Sequence, residues 1–180
     1  MLSITVPAAE YWDAVNETFL YRGEKVLQLE HSLVSISKWE SKWGKAFLGN
    51  QPKSDEEILD YVRCMTITQN VDPEIYTRLS KENYKSINEY IESPMTATYI
   101  FEEKQAKGQK ETVTSELIYY WMITFGIPVE FQKWHLNRLL TLIRVCNFKN
   151  SPRKKRSRKD LMREHTAINA ARRKMANSRG

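Results

Sequence analysis

The chain has 180 residues, of which 41% are hydrophobic and 11% aromatic. That length corresponds to one ordinary domain, with or without an appendage, and the composition is too hydrophobic for a chain that is disordered throughout. The net charge of +6 is unevenly divided, because residues 149–180 contain 12 basic and two acidic residues, which leaves 16 basic and 20 acidic residues for 1–148. The high isoelectric point therefore belongs to the C-terminal segment and does not by itself indicate a nucleic-acid-binding fold.

The first thirty residues predict a small sheet. Residues 2–7 and 25–30 each alternate apolar and polar side chains, which is the period of a half-buried strand. Residues 22–24 predict a turn before the second strand. We expect the two strands to pair.

The pattern then becomes helical. Large apolar side chains recur at steps of three and four residues from Leu33 to Phe47, and the helix is expected to end at 49–52. Ser54 and Glu57 have the spacing of a capping box, which predicts the start of a second helix.

The rest of the domain predicts further helices around one strand. Residues 72–73, Asp-Pro, are typical of a helix start, and this third helix is expected to break near Asn83. Residues 96–101 are rich in Thr, Tyr and Ile and predict a strand, with a polar loop over 102–110. Two more helices are expected over 115–125 and 128–148. The second of these is apolar on most sides, which favours a place at the centre of the core or at a permanent interface.

These patterns predict a mainly α-helical fold with a small N-terminal and central β element over residues 1–148. A basic C-terminal segment, residues 149–180, follows and is expected to be helical from about 157. Residues 153–159 carry six positive charges in seven positions, and apolar residues repeat every seven positions behind them, which favours a helix that docks against a partner. A phosphate-bearing partner, an anionic membrane surface, an acidic protein and a solvated tail are the interpretations of this run, and its few large apolar residues argue against membrane insertion.

Nothing in the sequence predicts an enzyme, a cofactor or a metal site. The three histidines and two cysteines have no ligand spacing, and the scattered glycines form no phosphate-binding loop. No leader or membrane-spanning stretch is visible, so we expect a soluble protein of a reducing compartment with both cysteines free and buried, and no membrane partner.

The predicted functional residues are therefore binding residues. Aromatic stripes at helical spacing form a core more often than a groove, but a client-binding groove needs the same residues. The partner-binding candidates are Trp39, Trp43, Phe47, Trp121 and Trp134 in the domain, and Arg153, Lys154, Lys155, Arg156, Arg158, Lys159, Leu161, Ile168 and Met175 in the basic segment.

Several strings resemble a family of tailed-phage proteins from viruses of Gram-positive bacteria. They are residues 120–123 (YWMI), 127–128 (IP), 132–147 (QKWHLNRLLTLIRVCN), 169–173 (NAARR), 29–33 (LEHSL) and 36–40 (ISKWE). Members of this family are commonly called tail assembly chaperones.

The resemblance implies a non-enzymatic role in building a long, non-contractile phage tail. Such a chaperone would keep the tape measure protein soluble in the host bacterial cytoplasm and hand it over to tail tube subunits. Homo-oligomerisation is left open, as is presence in the mature virion. Two alternatives stand beside this function: a structural virion protein of the neck or tail, and a nucleic-acid-binding accessory protein that acts through the basic segment.

Overall fold

The computed structural model describes residues 1–98, 112–150, 162 and 166. The chain divides into two compact units, Met1–Lys149 and Asn150–Gly180. The first unit is mainly helical with a small β component, as the sequence predicts, and this component consists of two two-stranded sheets. No helix among the described residues has the length and apolarity to cross a membrane.

The N-terminal strands form one long antiparallel ribbon in two parts. The inner part pairs β1 (Leu2–Val6) with β4 (Lys25–Leu29), which confirms the predicted pair. The outer part pairs β2 (Ala9–Asp13) with β3 (Thr18–Arg22), a hairpin that the sequence analysis did not predict. The same register offset holds in both parts, so the chain runs out and back along a single ribbon.

The inner part of the ribbon belongs to the hydrophobic core. Side chains alternate between the two faces of a strand, and directly paired residues share a face. One face is accordingly buried along both inner strands, through Ile4, Val6, Leu27 and Leu29. Their burial is why the predicted alternation of 2–7 and 25–30 identifies these strands.

Two helices follow the ribbon. The helix α1 (Leu33–Trp43) begins at a capping box on Ser32, and α2 (Asp55–Met65) begins at the predicted capping box on Ser54. The predicted end of α1 at 49–52 is wrong. Gly44 adopts a left-handed backbone conformation, with a φ of 61°, and its N–H donates to the Glu40 carbonyl, which ends the helix before Phe47.

The third predicted helix is two elements. Asp72 caps a short 3-10 helix (Pro73–Arg78), and a new capping box between Ser80 and Asn83 opens α3 (Lys81–Glu92). The break therefore lies at Leu79 and Ser80, slightly before the predicted position near Asn83. A side chain that caps a helix start marks the first turn of that helix, and this explains the offset.

The C-terminal half of the domain departs further from prediction. Residues 96–98 form no strand, and the remainder of the predicted strand and loop lies outside the described residues. The helix α4 (Ser115–Thr124) matches its prediction. The predicted helix over 128–148 is interrupted, because a 3-10 helix (Val129–Lys133) precedes α5 (Leu136–Asn150).

Tertiary contacts explain that interruption. His135 forms a β-bridge with Ser32, and the Leu136 N–H donates to the His31 carbonyl at 2.7 Å, so the backbone before α5 is extended. Only one side of α5 is buried, through Leu136, Leu139 and Ile143. The helix therefore does not lie at the centre of the core, which is shared between the ribbon, α1 and the later helices. The alternative, a permanent interface, stays a prediction.

The carboxylate of Glu40 joins three parts of this core. It is buried, and its two oxygens accept the backbone N–H groups of Phe47 and of Ser115, each at 2.7 Å. Ser115 opens α4, where a negative charge also interacts favourably with the helix dipole. Glu40 thus holds the chain after α1 and the start of α4 together.

We predict that Glu40→Ala lowers the free energy of unfolding by about 2 kcal/mol, because the buried N–H of Ser115 and the partly buried N–H of Phe47 lose their acceptor. Glu40→Gln retains one carbonyl oxygen and is expected to lose less. Urea unfolding measures both, with the exposed Glu56→Ala as the control. A Glu40→Ala variant as stable as Glu56→Ala would contradict this role.

Candidate functional site

The outer ribbon, residues 9–22, is the most prominent exposed apolar surface that the structure describes. Every residue of β3 is exposed, and the exposed fraction is 55% for Trp12, 71% for Phe19 and 67% for Tyr21. Single exposed apolar residues are common, but a contiguous exposed aromatic patch marks an interaction surface.

The aromatic side chains lie on one face. Trp12 pairs directly with Phe19, and Glu10 pairs with Tyr21, so all four share the face that we call the aromatic face. The rings of Trp12 and Phe19 meet edge to face with their centroids 4.9 Å apart. Every second residue of a strand lies on the same face. By this alternation, the aromatic face of the outer part corresponds to the buried face of the inner part, which carries Ile4.

The tip of the ribbon is held by a local turn. The Asp13 carboxylate accepts the backbone N–H groups of Val15 and Asn16, at 2.9 and 3.3 Å, and the Asn16 amide at 2.7 Å. The hydrogen bond from Asn16 contributes most to lowering the pKa of Asp13, so the carboxylate is ionised at neutral pH. Glu17 completes the turn with a positive φ of 51°.

Arg78 fixes the joint between the inner and outer parts. Its Nη1 donates to the carbonyl of Pro7 on the outgoing segment of the ribbon, and to those of Arg22 and Gly23 on the returning segment, at 3.1 to 3.3 Å. The Arg22 guanidinium in turn pairs with Glu74 at 3.5 Å. The base of the outer ribbon is thereby attached to the helical body, while the side chains of its aromatic face are exposed.

This arrangement is unfavourable for the chain in isolation. A two-stranded hairpin is at best marginally stable in water, and here its apolar side chains face solvent. A partner that covers the aromatic face would remove that apolar area from water and gain about 25 cal/mol per Å². The outer ribbon can therefore bind, but it offers no chemistry of its own.

The predicted Trp39, Trp43 and Phe47 stripe lies between helices instead of on a free groove. Trp39 is buried and donates its indole N–H to the Glu57 carbonyl at 2.8 Å. The indole of Trp43 donates to the Asp60 carboxylate at 3.0 Å, and the ring of Phe47 lies against that of Tyr61 at a tilt of 31° with centroids 4.0 Å apart. These residues join α1 to α2.

Charged pairs reinforce the same junction. Lys42 pairs with Asp60 at 2.5 Å, and Lys45 pairs with Glu57. The hydrogen bond from Lys45 lowers the pKa of Glu57. For Asp60, burial acts to raise the pKa, but the contacts with Lys42 and Trp43 outweigh it and the pKa is lowered. Both carboxylates thus have structural partners.

The other two predicted tryptophans are half-buried and lie apart. Trp121 lines a cavity of about 670 Å³ between α4 and α5, together with Phe125 and Leu140. Trp134 stacks on Phe131 with centroids 3.9 Å apart, and the Arg138 guanidinium lies over its ring at 4.1 Å. Trp121 packs against the same hydrophobic core as Trp39, Trp43 and Phe47.

All partner-binding candidates of the basic C-terminal segment lie outside the described residues. They are Arg153, Lys154, Lys155, Arg156, Arg158, Lys159, Leu161, Ile168 and Met175. Within the expected helix, the structure describes Met162 and Thr166, which are both helical, and the Thr166 hydroxyl donates to the Met162 carbonyl at 2.7 Å.

The buried histidines His31 and His135 lie next to each other and are hydrogen-bonded to neighbouring tyrosine residues. His31 Nδ1 lies 2.6 Å from the Tyr61 hydroxyl, and His135 Nε2 lies 2.9 Å from the Tyr90 carbonyl. Burial, with a smaller contribution from His135, lowers the pKa of His31 to about 4. Among the described residues, no group of His, Cys, Asp and Glu side chains is placed to hold a metal ion. Cys64 and Cys146 are unpaired and only half-buried, so their predicted burial is partial.

Comparison with known proteins gives one informative relative. No protein-family model and no solved structure matches the chain. The chain is similar to the regulatory protein RecX of Oceanobacillus iheyensis, with 27% identity over 165 residues. The match covers 81% of this chain and only 57% of that protein, so the chain spans little more than half of its relative's length.

This relative overturns the functional prediction made from the sequence. A regulatory protein is not a phage tail assembly chaperone. The predicted function, which is to keep a tape measure protein soluble during tail assembly, is therefore wrong. Neither alternative, a structural virion protein or a nucleic-acid-binding accessory protein, fits this relative well either. No comparison bears on the family resemblance itself, which stays a prediction.

Proposed function

We propose that the chain is a non-enzymatic regulatory protein that acts by binding a protein partner, with the outer ribbon as its docking surface. The observation that carries the proposal is the exposed aromatic face of Trp12, Phe19 and Tyr21 on a hairpin attached to a well-packed body. The printed name of the RecX relative, a regulatory protein, supports the class.

The geometry favours recognition over chemistry. Aromatic side chains at the centre of an interface supply most of its binding energy, and Trp and Tyr are the most frequent contributors. The groups that could act in catalysis, such as His31 and Tyr61, are buried and bonded to each other. A docking role needs neither of them.

The surface fits a partner that lies across the aromatic face. Trp12 and Phe19 form its centre through their ring contact, and Tyr21 extends it toward the joint. The Arg78 hydrogen bonds limit motion of the base, which reduces the entropy that a partner must remove on binding. A preformed hairpin of this kind binds without refolding the body.

The test compares a ribbon variant with a matched surface variant. We expect the double variant Trp12→Ser/Phe19→Ser to lose a partner that the wild-type chain recovers from extracts of the organism that encodes it. Ile123→Ser is the control, because Ile123 is 80% exposed on α4 and the change is of the same kind. The partner is identified by mass spectrometry after crosslinking, and its affinity is measured with purified proteins.

We expect at least a tenfold loss of affinity for the double variant and none for the control. Circular dichroism and thermal unfolding establish that both variants keep the fold. The proposal is wrong if no recovered protein depends on Trp12 and Phe19, or if both variants bind it equally.

A further inference from the structure

We propose that the outer ribbon binds a basic polypeptide segment, whose Arg and Lys side chains lie on the aromatic face while the ribbon's carboxylates balance their charge. This inference rests on the proposed function and specifies the chemistry of the partner.

The charge of the outer ribbon is negative. Residues 9–22 contain the carboxylates of Glu10, Asp13 and Glu17 and one cation, Arg22, which gives a net charge of −2. Glu10 and Glu17 are exposed, and no ion pair engages them within the described part of the chain. Glu10 shares the aromatic face with Trp12 and Tyr21, so the negative charge lies directly beside the rings.

The cations nearest to the ribbon lie at the joint and are engaged there. Arg22 pairs with Glu74, the Lys25 ammonium donates to the Asn70 carbonyl at 3.2 Å, and Arg78 donates to three backbone carbonyls. Their positive charge is therefore held at the base, and a partner at the tip meets aromatic rings and carboxylates.

Rings beside carboxylates favour a cationic partner. The face of an aromatic ring attracts guanidinium and ammonium groups, and a nearby carboxylate attracts the same cations. The body of this protein uses the same contact, because Arg138 lies over Trp134 at 4.1 Å and Lys53 over Phe47 at 4.6 Å.

The same charge disfavours other occupants. Nucleic-acid phosphates would meet three carboxylates on the outer ribbon and one cation, Arg22, which is already paired with Glu74 at the joint. A second copy of the chain, docked face to face, would bring a ribbon of net charge −2 against another of −2, which costs binding energy. A neutral apolar segment would gain from the rings alone and would leave Glu10 without a counter-charge.

The test uses the full-length chain and three labelled peptides of the same length, which carry Arg, Lys or Glu at identical positions between Ser and Leu residues. Fluorescence anisotropy at low salt is expected to show the Arg peptide binding at least tenfold tighter than the Glu peptide, with the Lys peptide between them. Raising the salt should weaken binding of the Arg peptide, because it screens the attraction, and should not weaken binding of the Glu peptide, whose charge is repelled by the ribbon.

Two variants with the same change in charge locate the effect. Glu10→Gln/Asp13→Asn/Glu17→Gln is expected to weaken the Arg peptide at least fivefold, and Asn at position 13 keeps the acceptor that holds the turn. Glu82→Gln/Glu89→Gln/Glu92→Gln removes three exposed carboxylates from α3 and is expected to change binding less than twofold.

The outcomes separate this inference from the proposed function. If the two triple variants bind the Arg peptide equally, or if an oligonucleotide binds in a manner that depends on Trp12 and Phe19, the basic-segment inference is overturned. The proposed function then stands if the double variant Trp12→Ser/Phe19→Ser still fails to recover the partner protein that the wild type recovers. If that double variant changes neither the recovered protein nor the peptide, both are overturned.

Discussion

Lowering the pH from 7 to 4 is expected to remove about 3 kcal/mol from the free energy of unfolding through His31 alone. The side chain of His31 is 2% exposed, and burial lowers its pKa from 6.5 to about 4. In the unfolded chain the imidazole binds a proton at about pH 6.5, but in the folded protein it does not until about pH 4. Each unit of this difference corresponds to about 1.4 kcal/mol.

The sign follows from proton uptake. Between pH 6.5 and 4 the unfolded state binds more protons than the folded state, so stability rises with pH. The contribution of His31 is therefore complete above pH 6.5, is lost as the pH falls, and has decreased by about 2 kcal/mol at pH 5. Burial also lowers the pKa of His135, which adds to the loss in the same direction.

The groups around the two rings explain why protonation is unfavourable. The His31 and His135 rings meet with centroids 5.1 Å apart, so a second positive charge would lie beside the first. Tyr61 from α2 keeps its proton, since burial raises its pKa, and it can donate to His31 Nδ1. Glu30, bonded to the Tyr90 hydroxyl at 2.7 Å, is the one carboxylate that favours protonation of His135.

Urea unfolding at pH 7, 6 and 5 measures this effect above the range in which carboxylates titrate. His31→Gln cannot bind the proton, so its stability should depend much less on pH, whatever its stability at pH 7. The slope, and not the level, is the readout. A His31→Gln slope equal to that of the wild type would contradict the assignment to His31.

The two parts of the ribbon are expected to respond very differently to the loss of a large apolar side chain. Leu27→Ala in the inner part should cost about 2–5 kcal/mol, because Leu27 is fully buried and its removal leaves a cavity. Phe19→Ala in the outer part should cost about 1 kcal/mol or less, since Phe19 is 71% exposed and loses only its contact with Trp12.

This matched pair of variants separates a stabilising residue from a binding residue. Thermal or urea unfolding of the two variants gives the difference, and the partner assay of the proposed function gives the complementary result, in which Phe19→Ala is the more damaging. A Phe19→Ala variant as unstable as Leu27→Ala would show that the aromatic face is covered in the free protein.

Local patterns in the sequence predicted much of the domain. The alternation of 2–7 and 25–30 identified the inner ribbon, and the Ser54 capping box identified the start of α2, since both depend on residues close together in the chain. The turn signal at 49–52 does not give the end of α1, because Gly44 ends the helix earlier through its left-handed backbone conformation.

The outer ribbon escaped prediction for a physical reason. Hydrophobic alternation identifies strands that have one buried face, but both faces of β3 are exposed. Residues 9–13 and 18–22 therefore show no inward and outward pattern. The aromatic residues of 18–22, the Asp and Asn of the intervening turn and the register offset of the inner strands were the available signals.

The sequence by itself determined the helical class, the inner strands and most helix starts, because these follow from side-chain period and from caps within one turn. Only the tertiary structure decided which aromatic residues are available. Trp39 and Trp12 cannot be distinguished by residue type, yet one is buried against α2 and the other faces solvent on the ribbon. Exposure depends on residues distant in sequence, here on Arg78, which attaches the base of the ribbon to the helical body. Only an exposed apolar side chain is available to bind a partner.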